Sequence, residues 1–279
     1  MEIFKTVFFM TALMLLLIFI GGYVGGGGGM LIAFAIGAAV NFFSYFFSDK
    51  LVLRHYRAVE VNRQNAKGFY EIVERLAKKA DIPMPKVYII PEAVPNAFAT
   101  GRNRSNAAVC ATEGLLNLLS EEEIEGVMAH ELSHVRHYDI LIGSMAATIA
   151  GAIAIAANIL QYGALLGRNR QNPIVMIAIA IVLPIAAAII QMSISRSREY
   201  MADEGAARLT AHPEWLQSAL LKLDAYARGG TMRQASQESA HMFIVNPFSG
   251  KNISFASLFS THPSIENRIA RLEKLKNAL

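Results

Sequence analysis

Five consecutive residues near the middle of the chain, His130-Glu131-Leu132-Ser133-His134, have the types and spacing of a hydrolytic metal site. Positions i and i+4 of an α-helix share one face, so the two imidazoles can bind a single metal ion. Glu131 lies beside them, where its carboxylate can accept a proton from a water that the metal activates. The pattern predicts metal-assisted hydrolysis if the segment is helical. Two ordinary surface histidines on a helix are the alternative.

The residues before the motif favour a helix from about Glu121 through Asp139. Ser120 suits the N-cap, and Glu123, three residues later, completes a capping box. Apolar residues then recur at roughly helical spacing, at Ile124, Val127, Met128 and Leu132. The motif is therefore predicted to lie mid-helix, where the backbone is rigid and the ligands are held in position.

A catalytic zinc ion needs a third protein ligand. Cys110 is the one cysteine, which excludes a cysteine cluster, and His137 on the same straight helix would close a tetrahedral shell poorly. A later segment offers Glu199 and Asp203, again at i and i+4. One carboxylate can bind the metal while the other accepts a hydrogen bond from a ligand imidazole. Spacing alone leaves the choice open, and it equally allows a solvated helix in which Arg196 pairs with Glu199.

The two segments resemble the HtpX-type membrane-bound zinc metallopeptidases, relatives of the CAAX prenyl endopeptidases. The resemblance rests on H-E-L-S-H and on the S-R-x-x-E-Y-x-A-D segment that ends at Asp203, and it extends over essentially the whole chain. It implies that Glu199 is the third zinc ligand beside His130 and His134. It also implies that Asp203 supports a ligand from behind, and that each chain binds one zinc ion.

The resemblance implies roles for two further segments. Pro95 to Gly101 resembles the edge strand beside the zinc, where an extended peptide can bind by β-augmentation. The substrate-binding residues there would be Asn96, Ala97, Phe98 and Ala99. His262, in a Thr-His-Pro signature, is the implied second positive group for the developing oxyanion, with Arg196 as a further candidate. His262 equally fits a structural residue in a Pro-bounded turn.

Four apolar runs predict helices that cross or enter a lipid bilayer: residues 7–23, 30–47, 140–166 and 174–194. Each approaches or exceeds the ~20 residues that a crossing requires. No charge interrupts the first two runs, and five glycines between them favour a tight loop, which predicts an uncleaved N-terminal hairpin. The Ala-rich third and fourth runs also fit helices buried inside a protein.

Basic residues predict the orientation. The loop between the first two runs is uncharged, whereas Lys50, Arg54 and Arg57 follow the second run, so both ends of the hairpin should be cytoplasmic. His134 precedes the third run closely and Glu199 closely follows the fourth. Two crossings would return the chain to the side on which it started. We therefore expect a multi-pass protein of the cytoplasmic (inner) membrane, with its site on the cytoplasmic side.

The expected fold class is α+β, mainly α: an integral membrane protein with up to four hydrophobic helices and a zincin-like catalytic domain with a small sheet. Residues 1–48 would form the transmembrane hairpin. Residues 49–139 and 195–279 would form the cytoplasmic metallopeptidase domain, interrupted by a hydrophobic helical hairpin of residues 140–194. The sheet is expected from a strand at 86–90 and a hairpin at 97–112, and further helices are expected at 60–79, 213–228 and 264–278.

The function expected from these features is zinc-dependent endopeptidase activity on polypeptides at the lipid bilayer. The resemblance implies quality control of misfolded membrane proteins. A CAAX-type processing peptidase and a non-catalytic scaffold stapled by zinc are the alternatives. Glu131 argues against the scaffold, since a structural zinc site needs no base and normally has four protein ligands. No nucleic-acid module is found, and the sequence carries no signal for oligomeric state.

Overall fold

The computed structural model of the chain describes residues 2–141, 196–228, 263–276 and 278. Nearly all of the third apolar run, the whole of the fourth, and His262 lie outside the described residues.

The N-terminal helix α1 spans Glu2–His55 and is interrupted at Gly25 and Gly26, where the backbone leaves the helical region. Gly26 has a φ of 57°, which glycine adopts at no steric cost. The two arms of α1 pack closely against each other. A Cβ atom on Gly21 would overlap Gly29 and Ala33 of the second arm, so this close approach requires glycine. Within the described residues, one stretch, Gly25–Phe47, is long and apolar enough to cross a membrane. The described part of the chain thus supplies one candidate of the four expected membrane helices.

A four-stranded mixed sheet follows α1, with strand order β1-β2-β4-β3. The strands are β1 (Val59–Val61), β2 (Lys86–Ile90), β3 (Ala97–Asn103) and β4 (Asn106–Thr112). β2 and β4 are parallel, whereas the pairs β1–β2 and β3–β4 are antiparallel. β3 is therefore an edge strand of this sheet, and the small sheet expected from the sequence is present.

The predicted start of the helix at residues 60–79 is wrong. Residues 60–66 do not continue the helix that follows them, because Val59 to Val61 pair with β2 instead. The Asn62 side chain then accepts hydrogen bonds from the backbone N–H groups of Gln64 and Asn65. Such an Asx-type turn competes with helical hydrogen bonding, so helix α2 begins only at Lys67 and ends at Lys79.

Helix α4 lies at the centre of the fold. It spans Glu121–Arg136, follows the short helix α3 (Glu113–Leu118), and buries all but a few of its residues. It packs against α2 and β3, and against helices α5 (Arg196–Thr210) and α6 (Pro213–Arg228). The last helix, α7 (Ile265–Lys276), packs on α5 and α6. The core side chains with no exposed surface include Val73, Leu76, Val109, Met128, Leu132 and Leu220.

The opposite face of the sheet packs against the end of α1. Ile90, Phe98 and Cys110 form a small buried cluster with side chains from the last turn of α1 and the residues after it, including Val52 and Tyr56. The helix that carries the H-E-x-x-H motif therefore lies on one face of the sheet, and the candidate membrane helix is joined to the other.

Candidate metal centre

The local signals in α4 act as the sequence predicts. The Ser120 side chain accepts a hydrogen bond from the backbone N–H of Glu123 at 3.3 Å, and the Glu123 carboxylate accepts one from the backbone N–H of Ser120 at 2.8 Å. Glu123 also accepts hydrogen bonds from Ser218 and Lys222 on α6. The capping box therefore starts α4 and attaches its first turn to a neighbouring helix.

Three predicted ligands come together on α4 and α5. The Nε2 atoms of His130 and His134 are 3.2 Å apart. The Glu199 carboxylate lies 3.6 Å from Nε2 of His130 and 3.5 Å from Nε2 of His134. The three donor atoms lie within 4.8 Å of one another, which is a grouping that can hold a metal ion.

Both imidazoles have a carboxylate behind them. Nδ1 of His130 lies 3.0 Å from Asp203, and Nδ1 of His134 lies 3.0 Å from Asp139. An ionised carboxylate only accepts hydrogen bonds, so each Nδ1 is assigned as the N–H donor, and in the neutral form of each imidazole Nε2 carries the lone pair. Two lone pairs then face each other and a carboxylate at short range. Without a cation between them, the two Nε2 lone pairs and the Glu199 carboxylate repel one another. Two imidazole nitrogens and a carboxylate are a donor set that suits a metal ion.

The charge around the histidines also favours a cation. Around the two histidines, the described residues supply four buried carboxylates (Glu131, Asp139, Glu199 and Asp203) and two buried guanidinium groups (Arg198 and Arg268). Fully ionised, they leave a formal surplus of two negative charges, which a divalent ion would neutralise. Burial opposes protonation of His130, but its hydrogen bonds with Asp203 and Glu199 outweigh burial and raise its pKa to about 9. The pocket thus attracts positive charge.

Glu131 lies apart from the three donors, against the edge strand. It is 5% exposed, and its carboxylate accepts a hydrogen bond from the backbone N–H of Ala99. Burial raises the pKa of Glu131, while the neighbouring imidazoles of His130 and His134 act in the opposite direction. The carboxylate of the motif therefore faces the strand on which a peptide is expected to bind.

Comparison with known proteins identifies the family. Residues 63–276 match the sequence model described as Peptidase family M48. The chain belongs to this family. It is 64% identical over 282 residues to a protein named Protease HtpX homolog from Campylobacter hominis, covering 100% of both chains. It is 59% identical to the Protease HtpX homolog of a Sulfurovum species, covering 99% of this chain and 100% of that one.

A solved structure shares the fold of this M48 peptidase. The crystal structure of S. mikatae Ste24p superposes with a TM-score of 0.56 at 17% sequence identity, over 93% of this chain and 62% of that one. The family and the curated relatives make the protein a metalloprotease, which is a hydrolase. The resemblance to HtpX-type peptidases expected from the motifs is confirmed.

Two residues at the predicted site of this M48 peptidase, Asp139 and Arg268, were not expected there from the sequence. Asp139 was expected to continue α4, but the helix ends at Arg136 and Tyr138 adopts a left-handed φ of 65°. The turn at Tyr138 places the Asp139 carboxylate 3.0 Å from Nδ1 of His134. Arg268 lies on α7, far along the chain, and contacts Asp203. Its one sequence signal is its spacing four residues before Leu272, which places a charged residue on the buried stripe of an amphipathic helix.

The structure does not describe the side chains of His262 and Arg196, the two candidates for a second positive group. The backbone of Arg196 begins α5, but its side chain lies outside what the structure describes, as does all of His262. Asn96 precedes β3, where its backbone N–H donates to the Thr112 hydroxyl. Phe98 directs its side chain to the face of the sheet away from the histidines, with its ring centroid 5.6 Å from that of Tyr56.

Proposed function

We propose that this M48 peptidase is a zinc-dependent endopeptidase in which His130, His134 and Glu199 hold one zinc ion per chain. The pair of Nε2 atoms 3.2 Å apart, each on an imidazole whose Nδ1 faces a carboxylate, carries this proposal. Two nitrogens and one carboxylate are a donor set found in hydrolytic zinc sites, and they leave a coordination position open. Such an ion supplies Lewis acidity at the scissile carbonyl.

Glu131 is proposed as the general base. Its carboxylate would take a proton from the attacking water and pass it to the nitrogen of the cleaved amide. Burial raises the pKa of this carboxyl group, which makes it a better proton acceptor than an exposed glutamate. The hydrogen bond from the backbone N–H of Ala99 holds the carboxylate beside β3.

The edge of β3 is the proposed peptide-binding surface. In the antiparallel pair β3–β4, hydrogen-bonded and non-bonded positions alternate, and the N–H of Ala99 points away from β4 towards Glu131. Ala97, two residues earlier, has the same orientation. An extended substrate could therefore pair with the backbone N–H and C=O of Ala97 and with the C=O of Ala99, with Asn96 and Phe98 supporting the strand from its start and its far face. This would bring a substrate carbonyl next to Glu131 and the ligands.

Contacts at the end of α1, one of them with β3, support catalysis near a lipid surface. The Arg102 guanidinium on β3 lies 5.5 Å from the ring centroid of Phe46, and the Lys50 ammonium lies 5.4 Å from that of Phe47. Phe46 and Phe47 end the candidate membrane helix, whose apolar side chains are largely exposed, among them Leu31, Ile32, Phe34, Phe42 and Phe43. Lys50 would then lie at the level of the lipid headgroups on the cytoplasmic side.

We further propose a multi-pass protein of the cytoplasmic membrane. Residues 1–48 and 140–194 would form two hydrophobic hairpins, and residues 49–139 and 195–279 the catalytic domain. Its polypeptide substrates would be misfolded membrane proteins, as the resemblance of its motifs to the HtpX type implies, and the lipid bilayer would be its surroundings. Asp203 supports His130 from behind in this proposal. His262 and Arg196 remain the proposed positive groups near the cleaved bond.

Cleavage of unprenylated casein by detergent-purified protein tests the catalytic proposal. With zinc added, the wild-type chain should cleave casein, and removing the metal with a chelator should stop cleavage. Glu131→Gln should keep its zinc content and lose about 100- to 10,000-fold of the rate. Glu125→Gln is the matched control, because Glu125 lies on the same helix but pairs with Arg75 at 2.5 Å, away from the ligands. Equal rates for wild type and Glu131→Gln would refute the base role. Stoichiometric zinc with no cleavage of any polypeptide, CAAX-type peptides included, would favour a structural site.

A further inference from the structure

Arg268 is a buried cation at the back of the predicted metal centre. It lies on α7 and is 1% exposed. Its Nε and Nη2 atoms donate to the two oxygens of Asp203 at 2.9 and 2.6 Å. Nη1 lies 3.9 Å from the Glu199 carboxylate, and Nη2 lies 3.4 Å from Nδ1 of His130. One side chain of the C-terminal helix thus contacts two predicted ligands and the carboxylate that supports one of them.

The geometry restricts how Asp203 can rotate. A planar guanidinium that binds both oxygens of a carboxylate fixes its plane as well as its distance. Oδ1 of Asp203 accepts from Arg268 and from His130 together. If the guanidinium were absent, the carboxylate could turn about its own side-chain bonds, and the imidazole ring of His130 would lose its fixed orientation. A metal ligand held by an oriented neighbour binds more tightly than one that must be ordered on binding.

Arg268 also offsets a local repulsion. Glu199 and Asp203 are four residues apart on α5, so their two negative charges share one face of a helix inside the protein. Like charges at this spacing repel each other, and burial strengthens the repulsion because few waters screen it. The guanidinium contacts both carboxylates and lies on another helix. The docking of α7 therefore lowers the electrostatic cost of keeping Glu199 directed at the two histidines.

We infer that Arg268 is a positioning residue that couples the docking of helix α7 to metal binding by His130 and Glu199, acting through Asp203. The inference rests on the proposed function, which makes these residues metal ligands. Metal binding should in turn stabilise α7, because a coupling between two sites is reciprocal. A purely structural role would differ: Arg268 would hold α7 on the fold, and its loss would lower stability with no specific effect on metal affinity.

Zinc affinity of the full chain in detergent, measured by competition with a chromophoric chelator, tests the coupling. Arg268→Met removes the charge and keeps most of the side-chain length, and it should weaken zinc binding about 10- to 100-fold. Arg268→Lys keeps the charge without the planar fork, and it should fall between that variant and wild type. Arg271→Met is the matched control: Arg271 lies on the same helix, is exposed, and stacks on Tyr200 of α5 with its guanidinium 3.9 Å from the ring centroid. It should change affinity by no more than about twofold.

Two further measurements separate positioning from stability. The double variant Asp203→Asn/Arg268→Met should bind zinc as tightly as whichever single variant has the lower zinc affinity. The two losses should not add, since both substitutions remove the same contact. Hydrogen exchange of residues 265–276 should slow when zinc is added to wild type and should not slow in Arg268→Met. A folded Arg268→Met with wild-type affinity, or fully additive losses in the double variant, would overturn the inference. If Arg268→Met does not fold, the affinity of Arg268→Lys decides. Failure of the wild type to bind zinc would instead overturn the proposed function.

Discussion

The distance between α4 and α5 controls whether Glu199 reaches the histidines, and Gly205→Ala tests that distance. Gly205 on α5 faces Ser133, the fourth residue of the H-E-x-x-H motif. A Cβ atom at Gly205 would overlap the Ser133 hydroxyl and lie 2.9 Å from its Cβ. Non-bonded carbons normally stay about 3.5–4.0 Å apart, so α5 would have to move from α4 by roughly 0.5–1 Å.

The expected effect on activity follows from this displacement. Glu199 lies 3.5 and 3.6 Å from the two Nε2 atoms, and it would move with α5. A misplacement of about 1 Å in a catalytic constellation can cost about 100-fold in rate. Overpacking costs about 1–3 kcal/mol of unfolding free energy, whereas replacing a helical glycine by alanine gains about 1 kcal/mol. Gly205→Ala should therefore lose metal affinity and casein cleavage, with a net change in stability of only about 0–2 kcal/mol.

Two companion variants make this prediction specific. Gly68→Ala makes the same change on α2, where a Cβ meets no atom within 4 Å, so it should gain up to about 1 kcal/mol with normal zinc affinity. Ser133→Gly in the Gly205→Ala background removes both atoms that the new Cβ would meet, and it should restore zinc binding. Zinc competition, casein cleavage and thermal unfolding are measured on all of them. Wild-type affinity and rate in Gly205→Ala alone would show that the site tolerates the displacement.

Three further results are expected. Ser120→Ala removes half of the capping box with Glu123 and should lower the unfolding free energy by about 1 kcal/mol in denaturant titrations, with unchanged zinc stoichiometry; an unaltered midpoint would contradict the assigned cap. Asp139→Asn should weaken zinc binding by about tenfold in chelator competition, because an amide supports His134 less strongly than a carboxylate, and equal affinity would remove Asp139 from the site. Burial raises the pKa of the Cys110 thiol well above its usual range, so a maleimide should label this cysteine only after unfolding, as seen by mass spectrometry, and rapid labelling of the folded protein would contradict its burial.

The features read correctly from the sequence depend on neighbours along the chain. The capping box joins residues three apart, and the two histidines share a helix face because they are four apart. Helix α6 has the predicted bounds, Pro213–Arg228, since a proline at its start and an apolar stripe are both local signals. The hairpin of β3 and β4 was also expected from its short polar turn. Where local signals competed, as at Asn62, the prediction failed.

The sequence by itself determined the chemistry available to this protein: two imidazoles and a carboxylate on one helix, and two further carboxylates on a second. Only the tertiary structure decided which groups surround them. Asp139 meets His134 because the chain turns at Tyr138, and Arg268 meets Asp203 because α7 packs on α5. Ala99 meets Glu131 because β3 packs beside α4. The contacts of Arg268 and Ala99 join residues far apart in the chain, since they are set by the packing of helix and sheet faces. The contact of Asp139 depends on a left-handed residue just after the end of α4, which the helical pattern before it does not signal.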